Sequence, residues 1–202
     1  MMSRNICLAG MMGSGKSTVA ALLADKLGRR PVDTDEEIVT WTGQEVSELF
    51  GMHGEAGFRD LEHQVVIELA RYHDLVIALG GGAVLRDDNL DALRLTSVVV
   101  LLEVPLEVLV DRLAGETSGR PLLASSSAGA QSADDDDDNG TEATWSQRLA
   151  MTYAERADRY RRIADIVIDG AGQPHDVVNA IVAWAVEQGD VLTPSEHEQV
   201  MT

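Results

Sequence analysis

Cysteine, lysine and long apolar runs are what this 202-residue sequence lacks. Its one cysteine, Cys7, excludes an intramolecular disulfide, and within Ile6-Cys7-Leu8-Ala9 it reads as a small core hydrophobe. Lys16 and Lys26 are the only lysines, so the other 14 of its 16 basic residues are arginines. No window approaches the roughly 20 apolar residues of a membrane span. The apolar start runs straight into a glycine-rich loop without a secretory cleavage pattern, so a cytoplasmic protein is expected. Positive charge is also scarce: 16 Lys plus Arg stand against 34 Asp plus Glu, a formal net charge of −18. Nucleic acid and anionic membrane surfaces repel such a chain, so neither is expected as a partner.

The acidity is concentrated. Ala124–Trp145 carries six acidic residues and Glu187–Thr202 four, neither with any Lys or Arg. Without those ten acids, 24 acidic face 16 basic side chains, a net of −8. The body, residues 1–186, reads as a single domain with core enough to need neither disulfide nor structural metal. Ala124–Trp145, poor in apolar residues and carrying Asp134–Asp138, reads as a disordered insertion. Glu187–Thr202, polar and interrupted by Pro194, reads as a flexible tail that frays beyond the last helix.

Within the body, short β-like runs alternate with helical patterns. Asn5–Ala9, Pro31–Asp33, Leu75–Leu79, Ser97–Leu102 and Ile166–Ile168 are predicted strands, several continuously apolar as parallel strands buried on both faces are. Lys16–Leu27, Ala56–Tyr72, Asp88–Leu93, Leu106–Leu113, Ser146–Arg161 and Asp176–Glu187 are predicted helices. The alternation implies an α/β fold with a parallel sheet and right-handed crossovers.

Gly10-Met11-Met12-Gly13-Ser14-Gly15-Lys16-Ser17-Thr18 satisfies G-x-x-x-x-G-K-[ST], between a predicted strand and a predicted helix. Glycines let successive backbone N–H groups turn toward phosphate oxygens, and the helix N-terminus adds partial positive charge. Lys16 would reach the β- and γ-phosphates and the Ser17 hydroxyl would ligate Mg²⁺. With lysine only at 16 and 26, no Asn-Lys-x-Asp guanine-reading element exists, which sets GTPases aside. Further polar signals fall at predicted strand ends, where open α/β sheets bind ligands. They are Asp33-Thr34-Asp35, Gly80-Gly81-Gly82 and, further on, Arg120-Pro121-Leu122-Leu123. Arg59 lies in Phe58-Arg59-Asp60-Leu61-Glu62, and Arg156 in a Glu-Arg-x-x-x-Tyr element ending at Tyr160.

The ordered combination of P-loop, D-T-D, F-R-x-x-E, L-G-G-G, R-P-L-L and E-R-x-x-x-Y resembles the shikimate kinase family over about residues 4–186. The resemblance implies a three-layer α/β/α kinase fold with five parallel strands in the order 2-3-1-4-5. It implies transfer of the γ-phosphoryl of ATP to the 3-hydroxyl of shikimate, with one Mg²⁺ per subunit, by a monomer. A small acid with three ring hydroxyls suits arginine forks, acidic acceptors and backbone amides. By resemblance, Arg59 and Arg156 hold the carboxylate, Asp35 accepts from ring hydroxyls, and Gly81 and Gly82 let backbone approach the ring. Asp33 holds the Mg²⁺ hydration shell, and Arg120 is a lid arginine over the transferring group. Gly13, Ser14, Gly15, Lys16, Ser17 and Thr18 cradle the phosphates. The family grips adenine between an arginine before the lid and a loop after the last strand, here Arg112 with Gln173 and Pro174. Counting back from Arg120 puts that arginine at Leu113, so Arg112 requires a one-residue gap.

Taken singly, each position has a plainer reading. Asp33 or Asp35 can cap a following helix, Arg59 can pair with Glu62 or His63 on its own helix, and Arg120 and Arg156 can be solvated charges. The insertion departs from the family's usual length by some fifteen to twenty residues, which a surface loop tolerates. Its aspartates could instead compete for Arg120 or Arg156. Other small-molecule P-loop kinases, such as a gluconate kinase, and a non-catalytic nucleotide-binding module are the alternatives.

Overall fold

Strand alternation in this chain serves two apolar faces at once. In the computed structural model, which describes residues 3–114 and 138–201, strands β1 (Asn5–Ala9), β2 (Arg30–Asp33), β3 (Leu75–Ala78), β4 (Ser97–Glu103) and β5 (Ile166–Asp169) form one parallel sheet. Their order is β2-β3-β1-β4-β5, as the family resemblance implies. Ile6 and Leu8 of β1, with Val76, Ala78, Val98 and Val100 of its neighbours, pack against α1 (Lys16–Leu27) and α7 (Pro174–Glu187). Cys7 and Ala9, with Ile77, Leu79, Val99 and Leu101, pack on the opposite face against α3 (Val46–Leu69), α5 (Leu106–Leu113) and α6 (Asp138–Ile163). Burial pushes the Cys7 thiol up to about 12, so it stays a protonated hydrophobe.

Four segments differ from the sequence expectation. A short helix, α2 (Thr34–Thr42), follows β2 directly, where none is predicted because its acidic first turn shows no apolar stripe. Asp33 caps it, its carboxylate accepting from the Asp35 N–H at 2.9 Å. Helix α3 begins ten residues before the predicted Ala56 and is broken at Gly54 (φ 66°, ψ −177°), a conformation essentially reserved for glycine. Apolar periodicity in the sequence therefore predicts a helix only beyond the break. Trp145, assigned by sequence to the disordered insertion, is 4% exposed and packs in the core from within α6. Residues 124–137 of that insertion lie outside the described residues, as does Arg120.

The tail is the clearest correction. Instead of fraying, it forms α8 (Pro194–Met201) and docks on α1. Thr193-Pro194-Ser195-Glu196 is a capping box: the Glu196 carboxylate accepts from the Thr193 N–H at 2.7 Å and the Thr193 hydroxyl from the Glu196 N–H at 3.2 Å. Glu196 also receives Arg29, Nε to Oε1 at 2.6 Å and Nη2 to Oε2 at 3.0 Å, where the Arg29 side chain is 1% exposed. Polar composition hides this because few apolar residues, Val191, Leu192 and Val200, pack on the core beside that ion pair. The remaining helix, α4 (Asp87–Arg94), follows a 3-10 turn at Ala83–Leu85.

Candidate active site

A cleft of about 750 Å³ opens along the C-terminal ends of β1, β2 and β3. One half is the phosphate cradle. Gly15 (φ 88°) ends the loop in a left-handed turn that an L side chain resists, and it opens α1 without a side-chain cap. The N–H groups of that first turn are thereby left to an anion. Lys16 Nζ donates to the carbonyls of Gly10 and Met11, each at 3.0 Å, and lines the cleft with Ser14, Ser17 and Thr18. Ser17 Oγ donates to Asp33 Oδ2 at 2.6 Å. Asp33 thus ends β2, caps α2 and reaches the P-loop helix with one carboxylate.

The other half gathers carboxylates and arginines around Gly80-Gly81-Gly82. The Gly80 N–H donates to Thr34 Oγ1 at 2.7 Å, tying the end of β3 to the start of α2. A Cβ built on Gly80 would lie 2.6 Å from Glu62 Oε1 and 2.7 Å from Asp35 Oδ1, so both carboxylates converge there. Arg59 donates to Glu62 at 2.8 Å and to Glu55 at 3.3 Å, and its guanidinium lies 5.4 Å from the Phe58 ring centroid. A side chain at residue 82 would collide with that guanidinium. Across the loop, Arg156 Nη1 donates to the Gly81 carbonyl at 3.3 Å. Burial raises the Glu62 carboxyl above its usual value, more than Arg59 lowers it, and Asp35 adds to the rise. Among the described residues, Glu62 Oε1 and Ser14 Oγ are buried without a hydrogen-bond partner, and both residues line the cleft.

At the mouth, Arg112 bridges the two loops that flank the cradle. It donates to Gly13 O at 3.3 Å, Gly170 O at 3.1 Å and Ala171 O at 2.9 Å. Leu113 also lines the cleft but is buried beneath Gly13, so of the two positions Arg112 is the one that brings a polar group to it. Gln173 and Pro174 line the same side, Pro174 as the first residue of α7.

Every described site residue named from the sequence therefore meets in one cleft: Gly13, Ser14, Gly15, Lys16, Ser17, Thr18, Asp33, Asp35, Arg59, Gly81, Gly82, Arg112, Arg156, Gln173 and Pro174. Sequence reading offered Glu62 only as a plain helix partner for Arg59 and gave no role to Tyr160. Glu62, three residues after Arg59 on one helix, is the acid that fixes it. Tyr160, one turn after Arg156, donates its hydroxyl to Gly81 O at 2.5 Å. The Phe50–Phe58 pair, with ring centroids 4.4 Å apart, supplies an apolar wall, of which the sequence motifs include only Phe58.

Chemically, the cleft offers an anion cradle, an oxygen-donor pair in Ser17 and Asp33, and two arginines for a second anion. Among the described residues no cluster of three or more His, Cys, Asp or Glu could enclose a metal. Magnesium suits such a sparse oxygen set, because it keeps waters and binds through one or two carboxylates plus phosphate.

Comparisons with known proteins agree on one family. The model of the family described as Shikimate kinase matches residues 12–186. A shikimate kinase of Synechococcus elongatus is 38% identical over 180 residues, 88% of this chain and 84% of that protein. One from Chromohalobacter salexigens is 39% identical over 189 residues, 93% and 94% of the two chains. Among solved structures, the shikimate kinase from Acinetobacter baumannii in complex with shikimate superposes with a TM-score of 0.78 at 33% identity, covering 92% of this chain and 94% of that one.

Proposed function

This chain belongs to the shikimate kinase family, and from that premise we propose how its own residues carry the family's reaction. It transfers the γ-phosphoryl of ATP to the 3-hydroxyl of shikimate, releasing ADP and shikimate 3-phosphate. The observation that carries the reading is the joining, in one cleft, of a complete P-loop to the Arg59–Arg156 pair around the glycine loop.

The phosphates seat on the backbone N–H groups of Gly13, Ser14, Gly15, Lys16, Ser17 and Thr18. Lys16 exchanges the Gly10 and Met11 carbonyls for β- and γ-phosphate oxygens. Arg112, Gln173 and Pro174 flank the adenine. Arg59 and Arg156 bind the shikimate carboxylate, and Asp35 accepts from a ring hydroxyl. Gly81 and Gly82 bring backbone against the ring. Ser17 and Asp33 hold Mg²⁺, which neutralises phosphate charge when bound. Phosphoryl transfer depends chiefly on alignment and charge neutralisation, so these residues act mainly by fixing donor and acceptor in line. Arg120, on the segment between α5 and α6, supplies positive charge over the transferring group.

The same reading takes the protein as a monomeric cytoplasmic enzyme without nucleic-acid partners, supported by its net charge of −18. Among the described residues no helix is long and apolar enough to cross a membrane. The test is coupled ADP release from purified protein with ATP, Mg²⁺ and shikimate. Shikimate-dependent turnover that Lys16→Ala abolishes is the expected result. ATP binding without such turnover, or a Lys16→Ala enzyme of normal rate, would overturn it.

A further inference from the structure

The Gly81 carbonyl receives two side-chain donors from the same face of α6. Arg156 and Tyr160 are one helical turn apart, so both reach the same place. Tyr160 Oη donates at 2.5 Å and Arg156 Nη1 at 3.3 Å. A Cβ built on Gly81 would lie 3.5 Å from the hydroxyl and 3.8 Å from the guanidinium nitrogen, so both groups converge on one spot. A third donor from this helix, Arg159 Nε, holds the Val84 carbonyl at 3.2 Å.

One of these two bonds to Gly81 is redundant for folding, and that redundancy has a use. A guanidinium that binds a substrate carboxylate must turn an N–H away from whatever held it before. If Arg156 were the sole partner of Gly81 O, each binding event would strand an acceptor, which costs about as much as a hydrogen bond is worth. The shorter bond from Tyr160 stays in place, so the carbonyl remains satisfied while Arg156 swings to its ligand. Tyr160 is 2% exposed. Burial pushes its phenol above the ordinary value although Arg156 pulls the other way, so it remains a proton donor at neutral pH.

We propose that Tyr160 is a positioning residue for shikimate: it holds the Gly81 carbonyl so that Arg156 can leave it for the substrate carboxylate. This rests on Arg156 binding that carboxylate, as read above. The hydroxyl touches neither ATP nor the reacting hydroxyl in this scheme, so its effect is confined to one substrate.

Steady-state kinetics of Tyr160→Phe, Arg156→Ala and the double variant test it. Tyr160→Phe keeps the ring and deletes the donor. Its shikimate KM rises about fivefold to tenfold, with kcat and the ATP KM within twofold of wild type. Arg156→Ala raises the shikimate KM further, and adding Tyr160→Phe to it changes that KM less than twofold, because no hand-over remains. Three results overturn the proposal: an unchanged shikimate KM in Tyr160→Phe, a parallel rise in both KM values, or an undiminished Tyr160→Phe effect in the Arg156→Ala background. An unchanged shikimate KM in Arg156→Ala would overturn the reading of Arg156 and this proposal together. Arg156→Ala with a raised KM and Tyr160→Phe without one overturns the positioning role alone.

Discussion

Removing Glu196 would test whether the C-terminal helix is part of the fold or an ornament on it. Arg29 leads out of α1 with its side chain 1% exposed, and four bonds hold it: two to Glu196, one to Val191 O at 2.6 Å and one to Arg4 O at 2.7 Å. Glu196→Ala leaves the guanidinium with the two carbonyls and no counter-charge. Breaking a buried ion pair from one side costs about 3–5 kcal/mol, mainly the penalty of the stranded charge. For a chain of this size that lowers the thermal midpoint by roughly 6–20 °C. Replacing both partners, as Arg29→Met with Glu196→Leu, removes the stranded charge and should recover most of the loss. Circular dichroism melts of the three proteins give the comparison, and the pH dependence adds a second arm. Burial opposes the Glu196 charge, but Arg29 and the Thr193 N–H outweigh it and hold the carboxyl below its usual value. A carboxyl depressed by folding adds stability above its unfolded pKa and loses it as pH falls through the folded one. The gap between wild type and Glu196→Ala should therefore be full at pH 7 and narrow below about pH 4. Catalysis should change less than twofold, since α1 puts about 18 Å between its two ends. A Glu196→Ala midpoint within 2 °C of wild type at pH 7, or a gap that widens in acid, would refute the reasoning.

Other outcomes follow from residues with two tasks. Asp33→Asn keeps an oxygen to cap α2 and should melt within about 3 °C of wild type, whereas Asp33→Ala should also lose about 1 kcal/mol of stability. Both should cut kcat by at least tenfold in the ADP-release assay, and a fully active Asp33→Asn enzyme would remove Asp33 from the metal side. Arg112→Ala should raise the ATP KM about tenfold and leave the shikimate KM alone; the reverse pattern would exclude Arg112 from the nucleotide side. Trp145→Ala should cost about 3–5 kcal/mol in urea unfolding, as loss of a buried indole does, and a cost below 1 kcal/mol would return Trp145 to the loop.

The sheet was legible because its three central strands are continuous apolar runs, and continuity is what burial on both faces demands. The phosphate cradle was legible because its spacing is dictated by backbone geometry. What escaped had its cause in local chemistry rather than in apolar periodicity. Helix α2 is started by one carboxylate cap, and α3 is cut by Gly54, which splits its pattern into two pieces. The tail carried a legible signal, Thr193-Pro194-Ser195-Glu196, but its partner Arg29 lies 167 positions away, and no spacing rule finds such a pair. Tyr160 and Glu62 sat inside the motifs that named Arg156 and Arg59. The Arg59–Glu62 pair is a helix spacing the sequence already offers, whereas the task of Tyr160 is visible only in its bond to Gly81 O.

Those tasks share a logic that explains why fold and site cannot be separated here. Asp33 ends a strand, caps the next helix and holds Ser17. Glu62 fixes Arg59 from within the core-facing side of α3. Thr34 ties Gly80 to α2, while α6 pins Gly81 and Val84 on the other side. Each arm of the cleft is thus anchored to a different element, with the glycine loop as their common joint. A parallel sheet makes this economical, because all its strands deliver their C-terminal ends to one edge. An approach of the two substrates therefore needs only small movements of side chains already held at known points. In the proposed reaction Arg156 would leave Gly81 and Lys16 would leave Gly10 and Met11, a carbonyl traded for an anion in each. Each cation then faces a full opposite charge where the carbonyl offered only a dipole, so both exchanges run toward the bound state.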